Sequence, residues 1–458
     1  MGLGLNQGGL SVARWLIKHG SKLTITDLKS ARKLRSSLEQ IKKISQSNRV
    51  KYVLGRHDPV DFKTHDLIIK NPGVPNNSPY LKIARSSGIP IVNEALMFFG
   101  LFGGPKIGVT GTRGKSTTAS LIHHILKTEI RDNVLAGNIA TTAMMSVVDS
   151  LAKRSWPVLE LSSWQLESLD EYGVSPELAV ITNVLVDHLN RYKNFAAYRR
   201  AKLALVRHQH SHDRAVLNFD NPHTRSFASQ TPAQIYWFSL EEKIRGAYLS
   251  RGYIHFYDGH KDSRIMPIRD IHLQGRHNLA NVLAAVAVAK LLDVSHKNII
   301  RVLRSFSGLK YRLEYLGRLG HLQVYNDATS TTPDAVLAAL QALADKPIIL
   351  MAGGEDKKLD YRELARQIKR QLYFLVLLKG SGSQKLLSAL KKISFPVQKL
   401  KTGVEDLSQA WRYALEQAPP QPAYLLFSPG ATSFNMFINE FDRAQQLEKL
   451  FYASQKKK

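Results

Sequence analysis

Residues 108–118 read GVTGTRGKSTT, directly after Lys106 and Ile107. Gly111 and Gly114 let the backbone fold back with its N–H groups pointing inward. A helix expected to begin near Gly114 adds the positive end of its dipole. Lys115 is placed to neutralise a terminal phosphate, and Ser116 offers a hydroxyl to Mg²⁺. Thr112, Arg113 and Thr117 complete the loop. Strand, glycine loop, lysine, hydroxyl and helix arrive in the order of a nucleotide triphosphate cradle. The strict pattern G-x-x-x-x-G-K-[ST] wants Gly where Val109 stands, so this is a variant of the form T-G-T-x-G-K-S.

The flanking sequence sets the cradle in an α/β fold. The runs KIGVT, PVLEL, LAVITNV and RAVLNF read as strands with helices between them, a mainly parallel sheet. Ligands of such sheets gather at the carboxyl ends of the strands. The sequence puts Glu160 at one such end, and Asp187 and His188 at another. Mg²⁺ takes hard oxygen ligands, so Glu160 with Ser116 suits it, and imidazole is an acceptable minor ligand at His188. A core or capping histidine fits the same position. QIYWFS and GAYLSRGYIHFYDG suggest a small β insertion. GRHNLANVLAAVAVAKLL reads as the helix that ends this domain.

Before the cradle, MGLGLNQGGLSVARWLIKHGSKLTITD reads as the second part of a nucleotide-binding βαβ unit. A glycine turn leads into a helix with Val12, Trp15 and Leu16 on one face. Gly20 ends it, and KLTITD is a strand closing on Asp27, where a ribose is often held. The first strand is nearly absent, because only Met1 to Leu3 precede Gly4. The expectation is that the natural start lies upstream of Met1. DLIIKNPGVP adds a strand and turn, and FGLFGGPK (99–106) reads as a linker. After SFSGLKYRLEYLG the pattern alternates again through LQVYND, PIILMAGG, FLVLLKG and AYLLFSPG, a second dinucleotide-fold-like domain. The expected domains are 1–103, 104–308 and 309–458.

The chain has 458 residues and no Cys. That length predicts roughly three domains. The lack of Cys excludes disulfides, thiolate metal sites and thiol nucleophiles. No apolar run approaches the ~20 residues that span a bilayer, and no signal peptide is visible, so the reading is cytoplasmic. The formal charge of +27 by itself favours a polyanionic partner. The Lys and Arg are spread along the chain without an aromatic-interleaved basic repeat, so anionic small substrates explain it at least as well. The expected partners are small molecules, with no nucleic acid and no membrane, and the chain is read as a monomer.

Taken together, GVTGTRGKSTT, ELSSWQLE, TNVLVDHLNRY followed by YRRAK, GRHNLANVLAA and YNDATSTTPDA resemble the Mur ligases, the ATP-dependent amino-acid ligases of peptidoglycan precursor synthesis. The resemblance covers nearly the whole chain. Within the family, NPGVP, GGEDKKLDY and SPGATSFNMFINEFDR look most like the D-glutamate-adding branch, whose substrates are UDP-N-acetylmuramoyl-L-alanine, D-glutamate and ATP. The alternatives are another Mur-type or polyglutamate-type ligase, or a nucleic-acid-associated P-loop ATPase.

The resemblance implies three domains: a Rossmann-like UDP-binding domain, a central ATPase domain and a Rossmann-like C-terminal domain. It implies ATP bound by residues 111–117 with Asn278, Asn281, Arg312 and Asp327. It implies two Mg²⁺ ions held by Ser116, Glu160, His188 and Lys202, the lysine converted to an anionic carbamate by CO₂. Without the resemblance, Lys202 reads as a surface lysine on a polar helix. Lys115, Glu160, His188 and Lys202 are the implied catalytic set. The UDP end is expected on Leu5, Asn6, Gln7, Asp27, Asn71 and Gly73, with Asn138 on the sugar-peptide portion. D-Glutamate is expected on Thr331, Lys357, Ser433 and Phe434. Four features depart from the family pattern: Arg113, where a smaller polar residue is usual; Thr329, often Lys; Tyr311, often His; and the glycine turn at 4–9, which is longer than usual.

Overall fold

The computed structural model describes residues 1–4, 7–44, 49–139, 142–188, 191–273, 275–357, 359–433 and 436–455, with the side chain of Gln7 also outside that set. Leu5, Asn6 and Phe434, and the side chain of Gln7, therefore lie outside the described residues. The chain divides into two compact units. One comprises Met1–Asp187, Asn194–Asp270 and Ala280–Arg304; the other comprises His188–Lys193, Ile271–Leu279 and Ser305–Lys458.

The first unit opens with helix α1 (Gln7–Lys18) and strands β1 (Leu23–Asp27) and β2 (Val50–Leu54), which pair in parallel. Strands β3 (Ile68–Ile69) and β4 (Ile91–Val92) form a separate parallel pair. Met1 and Gly2 run between the two pairs: Asn71 N donates to Met1 O and Gly2 N to Thr26 O. The buried face of α1 is Leu10, Ser11, Val12 and Ala13, whereas Trp15 is half-buried and its indole donates to Asp149. The stretch 99–106 is not all linker. Asn93 caps a helix over Glu94–Leu101 by accepting from Leu96 N, so the connection begins only at Phe102.

The large sheet then follows. Its strands are β5 (Ile107–Thr110), β6 (Leu135–Gly137), β7 (Val158–Glu160), β8 (Leu178–Ile181), β9 (Arg214–Asn218), β10 (Gln234–Ser239), β11 (Gly246–Ser250), β12 (Tyr253–Tyr257) and β13 (Asp262–Pro267). They lie in the order β13-β12-β11-β10-β9-β8-β5-β7-β6. β5 through β11 are parallel, and β12 and β13 form an antiparallel edge. The expected β insertion is therefore a continuation of the main sheet, because β10 pairs directly with β9. β5, β7 and β8 are buried at every residue, as strands covered on both faces must be. The helices that matter below are α2 (Lys115–Leu126), α3 (Phe195–Arg207) and α4 (Arg276–Leu291).

The second unit holds β14 (Glu314–Leu319), β15 (Leu322–Asn326), β16 (Ile348–Ala352), β17 (Leu372–Leu378), β18 (Leu400–Val404) and β19 (Ala423–Phe427), in the order β14-β15-β19-β16-β17-β18. All pairs are parallel except β14 with β15. Side chains alternate between two apolar cores. Ile349 and Met351 enter one, Ile348 and Leu350 the other, as the twofold period of a strand requires. Helix α5 (Glu440–Gln455) lies at its end of the chain. Among the described residues no helix is long and apolar enough to cross a membrane.

Candidate active site

In the first unit the site grows from the end of β5. Gly111 (φ +149°) and Gly114 (φ +82°) take conformations L side chains rarely adopt. A Cβ on Gly111 would collide with Thr182 Oγ1, and one on Gly114 with Asn281 Oδ1. Both glycines are thus fixed by conformation and by space. Gly114 is the residue before α2, so the loop delivers its N–H groups onto the helix N-terminus. Lys115 Nζ curls back over this loop, donating to Gly111 O at 3.0 Å and Thr112 O at 3.1 Å. Asn281 packs against the same loop and accepts from Thr118 Oγ1 at 3.2 Å. Ser116 and Thr117 are nearly buried beside it.

β7 lies next to β5 with Glu160 level with Val109, which places the carboxylate beside the loop. Glu160 is 2 % exposed. Its Oε1 accepts from Asn138 Nδ2 at 3.2 Å, while Oε2 is buried with no hydrogen-bond partner among the described residues. A buried carboxylate oxygen left open is costly unless a cation or donor completes it. That open oxygen, with the Ser116 hydroxyl, fits Mg²⁺, which is usually held by one or two carboxylates plus substrate phosphates.

Lys202 on α3 is buried, 2 % exposed, and Nζ donates to Thr110 Oγ1 at 2.9 Å. The surface-lysine alternative does not hold. Burial, reinforced by Lys115, holds its ammonium well below the usual lysine range, against the opposing pull of Glu160 and Asp187. Arg113 Nη1 donates to Asp187 Oδ2 at 2.9 Å, and Asn183 Oδ1 accepts from Arg113 N at 2.9 Å. Thr112 Oγ1 meets Tyr198 OH at 3.0 Å. Thr110, Thr182, Asn183 and Tyr198 thus support the loop, although sequence reading assigned them no site role, and so does Asp187, which the sequence places at the ligand edge. Tyr198 carried a signal: it stands four residues before Lys202, on the same helix face.

At the amino end, Asp27, Asn71 and Gly73 gather about the glycine turn. Gly4 N donates to Asp27 Oδ2 at 3.0 Å, Lys29 N to Asp27 Oδ1 at 2.8 Å, and Gly73 N to Asn71 Oδ1 at 3.2 Å. Asp27 is 6 % exposed, so its carboxylate shapes the turn.

In the second unit, the carboxyl ends of β15, β16 and β19 converge, the ligand edge of such sheets. Asp327 follows β15, is buried, and accepts from Ser428 Oγ at 2.6 Å, Leu313 N at 3.0 Å and Ser330 Oγ. Burial raises its pKa to about 6 in spite of these bonds and of Arg312. Arg312 is exposed between Tyr311 (φ +67°) and Leu313 (φ +49°). Two of the sequence departures meet here: Thr329 Oγ1 donates to Tyr311 O at 2.8 Å. Lys357 Nζ donates to Thr331 Oγ1 at 3.1 Å, uniting two residues expected to hold one amino acid. The loop that carries Lys357 pairs with the loop that carries Ser433 through Glu355 and Thr432, and Ser433 is buried. His188 (φ +54°) and Asn278 belong to this unit, while Asn281, on the same helix as Asn278, belongs to the first. Arg443, which sequence reading missed, is 1 % exposed.

Comparison with known proteins adds three matches along the chain. Residues 1–93 match the Mur ligase MurD-like N-terminal domain, 109–289 the Mur ligase middle domain, and 311–430 the Mur ligase glutamate ligase domain. The chain is 38 % identical to UDP-N-acetylmuramoylalanine--D-glutamate ligase of Roseiflexus sp. (strain RS-1), over 98 % of this chain and 97 % of that one. It is 36 % identical to the enzyme of the same name from Borreliella afzelii (strain PKo), over 98 % and 96 %. Its fold is similar to a crystal structure of MurF from Acinetobacter baumannii (TM-score 0.63, 18 % identity, 95 % and 97 % covered). It is likewise similar to UDP-N-acetylmuramate-alanine ligase MurC from Thermotoga maritima (TM-score 0.62, 18 %, 98 % of each chain). With a variant P-loop on β5, a buried open carboxylate on β7 and these matches along its length, the chain belongs to the Mur ligase family.

Proposed function

We propose that this chain joins D-glutamate to the alanyl carboxylate of UDP-N-acetylmuramoyl-L-alanine, driven by cleavage of ATP, in peptidoglycan precursor synthesis. The full-length likeness to ligases of that name carries the substrate assignment, and the Lys357–Thr331 pair supports a carboxylate-bearing acceptor. The reading is of a cytoplasmic monomer.

A carboxylate is a poor electrophile. Transfer of the γ-phosphoryl group to its oxygen makes an acyl phosphate and releases ADP. The amine of D-glutamate attacks the acyl carbon and loses a proton, and the tetrahedral intermediate expels phosphate to leave the amide. The loop amides and Lys115 take the phosphates, for which Lys115 must leave its two loop carbonyls. Ser116 and Glu160 would hold Mg²⁺, which would supply positive charge against the transferring phosphoryl group. Asn278, Asn281, Arg312 and Asp327 hold the nucleotide. Asp27, Asn71, Gly73 and Asn138 hold the UDP substrate. Thr331, Lys357 and Ser433 orient the two carboxylates of D-glutamate.

Lys202 carries a carbamate in this reading: Nζ bonds to the carbon of CO₂ and loses a proton, and the carbamate oxygens, like the His188 imidazole, would be ligands for a second ion. Two observations support it. Nζ is buried, and its hydrogen bond goes to a hydroxyl rather than a carboxylate. An amino-acid panel scored by phosphate release with UDP-N-acetylmuramoyl-L-alanine and ATP tests the function. D-Glutamate should be the preferred acceptor. Preference for L-alanine, L-lysine or diaminopimelate would reject this branch, and turnover stimulated by nucleic acid but indifferent to D-glutamate would reject the ligase reading.

A further inference from the structure

Glu94 opens the helix Glu94–Leu101 and is 5 % exposed. Its carboxylate joins two segments far apart in sequence. The Ser11 hydroxyl on α1 bridges Gly8 O at 2.8 Å and Glu94 Oε1 at 3.1 Å. Met145 N donates to the same Oε1 at 3.2 Å. Gly8 lies so close that a Cβ there would come within 3.1 Å of Oε2. A buried carboxylate is costly unless donors meet it, and here the donors come from both segments.

Each segment carries one end of the substrate site. Gly8 and Ser11 lie near the amino end of α1, directly after the glycine turn at the UDP end. Met145 belongs to the stretch after β6 that presents Asn138. Gly137 N donates to Thr142 O at 3.0 Å, closing that loop, and Asn138 N donates to Glu160 O at 2.8 Å. Asn138 Nδ2 reaches Glu160 Oε1 at 3.2 Å. Glu94 thus stands between the UDP end on one side and the sugar-peptide and Mg²⁺ end on the other.

The residue before it makes a parallel link. Asn93 is fully buried. Its Oδ1 caps its own helix, while Nδ2 donates to Gln165 O at 3.0 Å. Gln165 closes a capping box with Ser162, in the turn that follows Glu160. Asn93 and Glu94 therefore fasten the amino-terminal part on both sides of Glu160. Asp149 adds an outer contact to α1, accepting from Trp15 Nε1 at 2.8 Å and Lys18 Nζ at 2.7 Å. That pair is solvent-exposed and so is worth little. The Glu94 contact is shielded from water, where hydrogen bonds are stronger.

A long substrate held at both ends gains from a fixed span between its two subsites. Once one end is bound, the other meets its subsite at high effective concentration. The reacting carboxylate is then also held in place. We propose, resting on the substrate assigned above, that Glu94 is a positioning residue that sets the span between the uridine diphosphate subsite and the sugar-peptide subsite.

The test measures Kd by calorimetry for UDP alone and for UDP-N-acetylmuramoyl-L-alanine, in the parent chain, Glu94→Gln and Ser11→Ala. Gln keeps the volume and one acceptor but loses the carboxylate. Ser11→Ala removes the hydroxyl and leaves Glu94 in place. In Glu94→Gln the full substrate should bind about tenfold more weakly, the size of a lost hydrogen bond to a charged group, while UDP binds as in the parent. Ser11→Ala should act in the same direction by a smaller factor. If UDP and the full substrate weaken by one common factor, or neither changes, Glu94 only holds the fold and the proposal is overturned. A parent chain that binds UDP but gains nothing from the sugar-peptide rejects the substrate assignment and the proposal together. A parent that gains, with variants that keep the whole gain, rejects the role of Glu94 alone.

Discussion

Lys202 Nζ donates to Thr110 Oγ1 at 2.9 Å, and the same hydroxyl donates to Leu161 O at 2.6 Å. The pair ties α3 to the end of β5, where the phosphate loop begins. A carbamate on Lys202 keeps one N–H and can retain this bond while presenting two oxygens. Lys202→Ala should lower turnover by roughly a hundredfold or more, and small carboxylates such as acetate should restore part of it. Its stability should hold, because removing a buried amine also removes its desolvation cost. Full activity without added carboxylate would remove Lys202 from the mechanism.

Lys357 and Thr331 meet at 3.1 Å in the second unit. Their shared position makes a specific split of kinetic constants the natural test. Lys357→Ala should raise KM for D-glutamate by about ten- to a hundredfold, the size expected for a lost charge-assisted bond. KM for ATP should move little. If both constants rise together, Lys357 supports the fold of the loop and does not contact the acceptor.

Asp327 supplies a pH dependence with a definite sign. Its pKa is raised to about 6 by burial, above the value near 4 of an unfolded aspartate. The folded chain therefore binds the extra proton between these values. The resulting stability is full below pH 4 and is lost as pH rises through 6, about 3 kcal/mol in all. Asn cannot titrate, so the stability difference between the parent chain and Asp327→Asn should change by about that amount between pH 4 and pH 7. Urea unfolding at the two pH values measures it. An unchanged difference would mean that Asp327 is not buried in this way.

The parts legible in sequence were those whose physics is local. β5, β8 and β19 are continuous apolar runs because they are buried on both faces. The phosphate loop announces itself because backbone turns need glycine at fixed spacing. What escaped depends on distant partners. Lys202 stands after Arg199 and Arg200 and looks solvated, yet Tyr198, Ala201, Lys202 and Leu205 share one buried helix face. Residues 99–101 read as linker because the glycines of FGLFGGPK outweigh the cap at Asn93, yet they close the helix Glu94–Leu101. β10 read as an insertion because its parallel neighbour β9 is not apparent from its own pattern.

Arg443 shows the same limit at its strongest, since its partners are main-chain carbonyls with no residue signature. The guanidinium is 1 % exposed. Nε donates to Ala328 O at 2.8 Å, Nη1 to Ala431 O at 3.0 Å and Nη2 to Ser330 O at 3.4 Å. Burial lowers its pKa to about 10, so it stays cationic at neutral pH. One planar fork thus pins two loops: 328–331, which ends at Thr331, and 431–433, which ends at Ser433. Lysine cannot span three carbonyls in a plane. Arg443→Met should cost on the order of 3 kcal/mol, because buried carbonyls lose charged donors. Arg443→Lys should recover part of that stability. If the fork positions the acceptor site, Arg443→Lys should still show a KM for D-glutamate raised about tenfold, with KM for UDP-N-acetylmuramoyl-L-alanine near the parent value. A lysine variant that is less stable but kinetically unchanged would confine Arg443 to holding the fold.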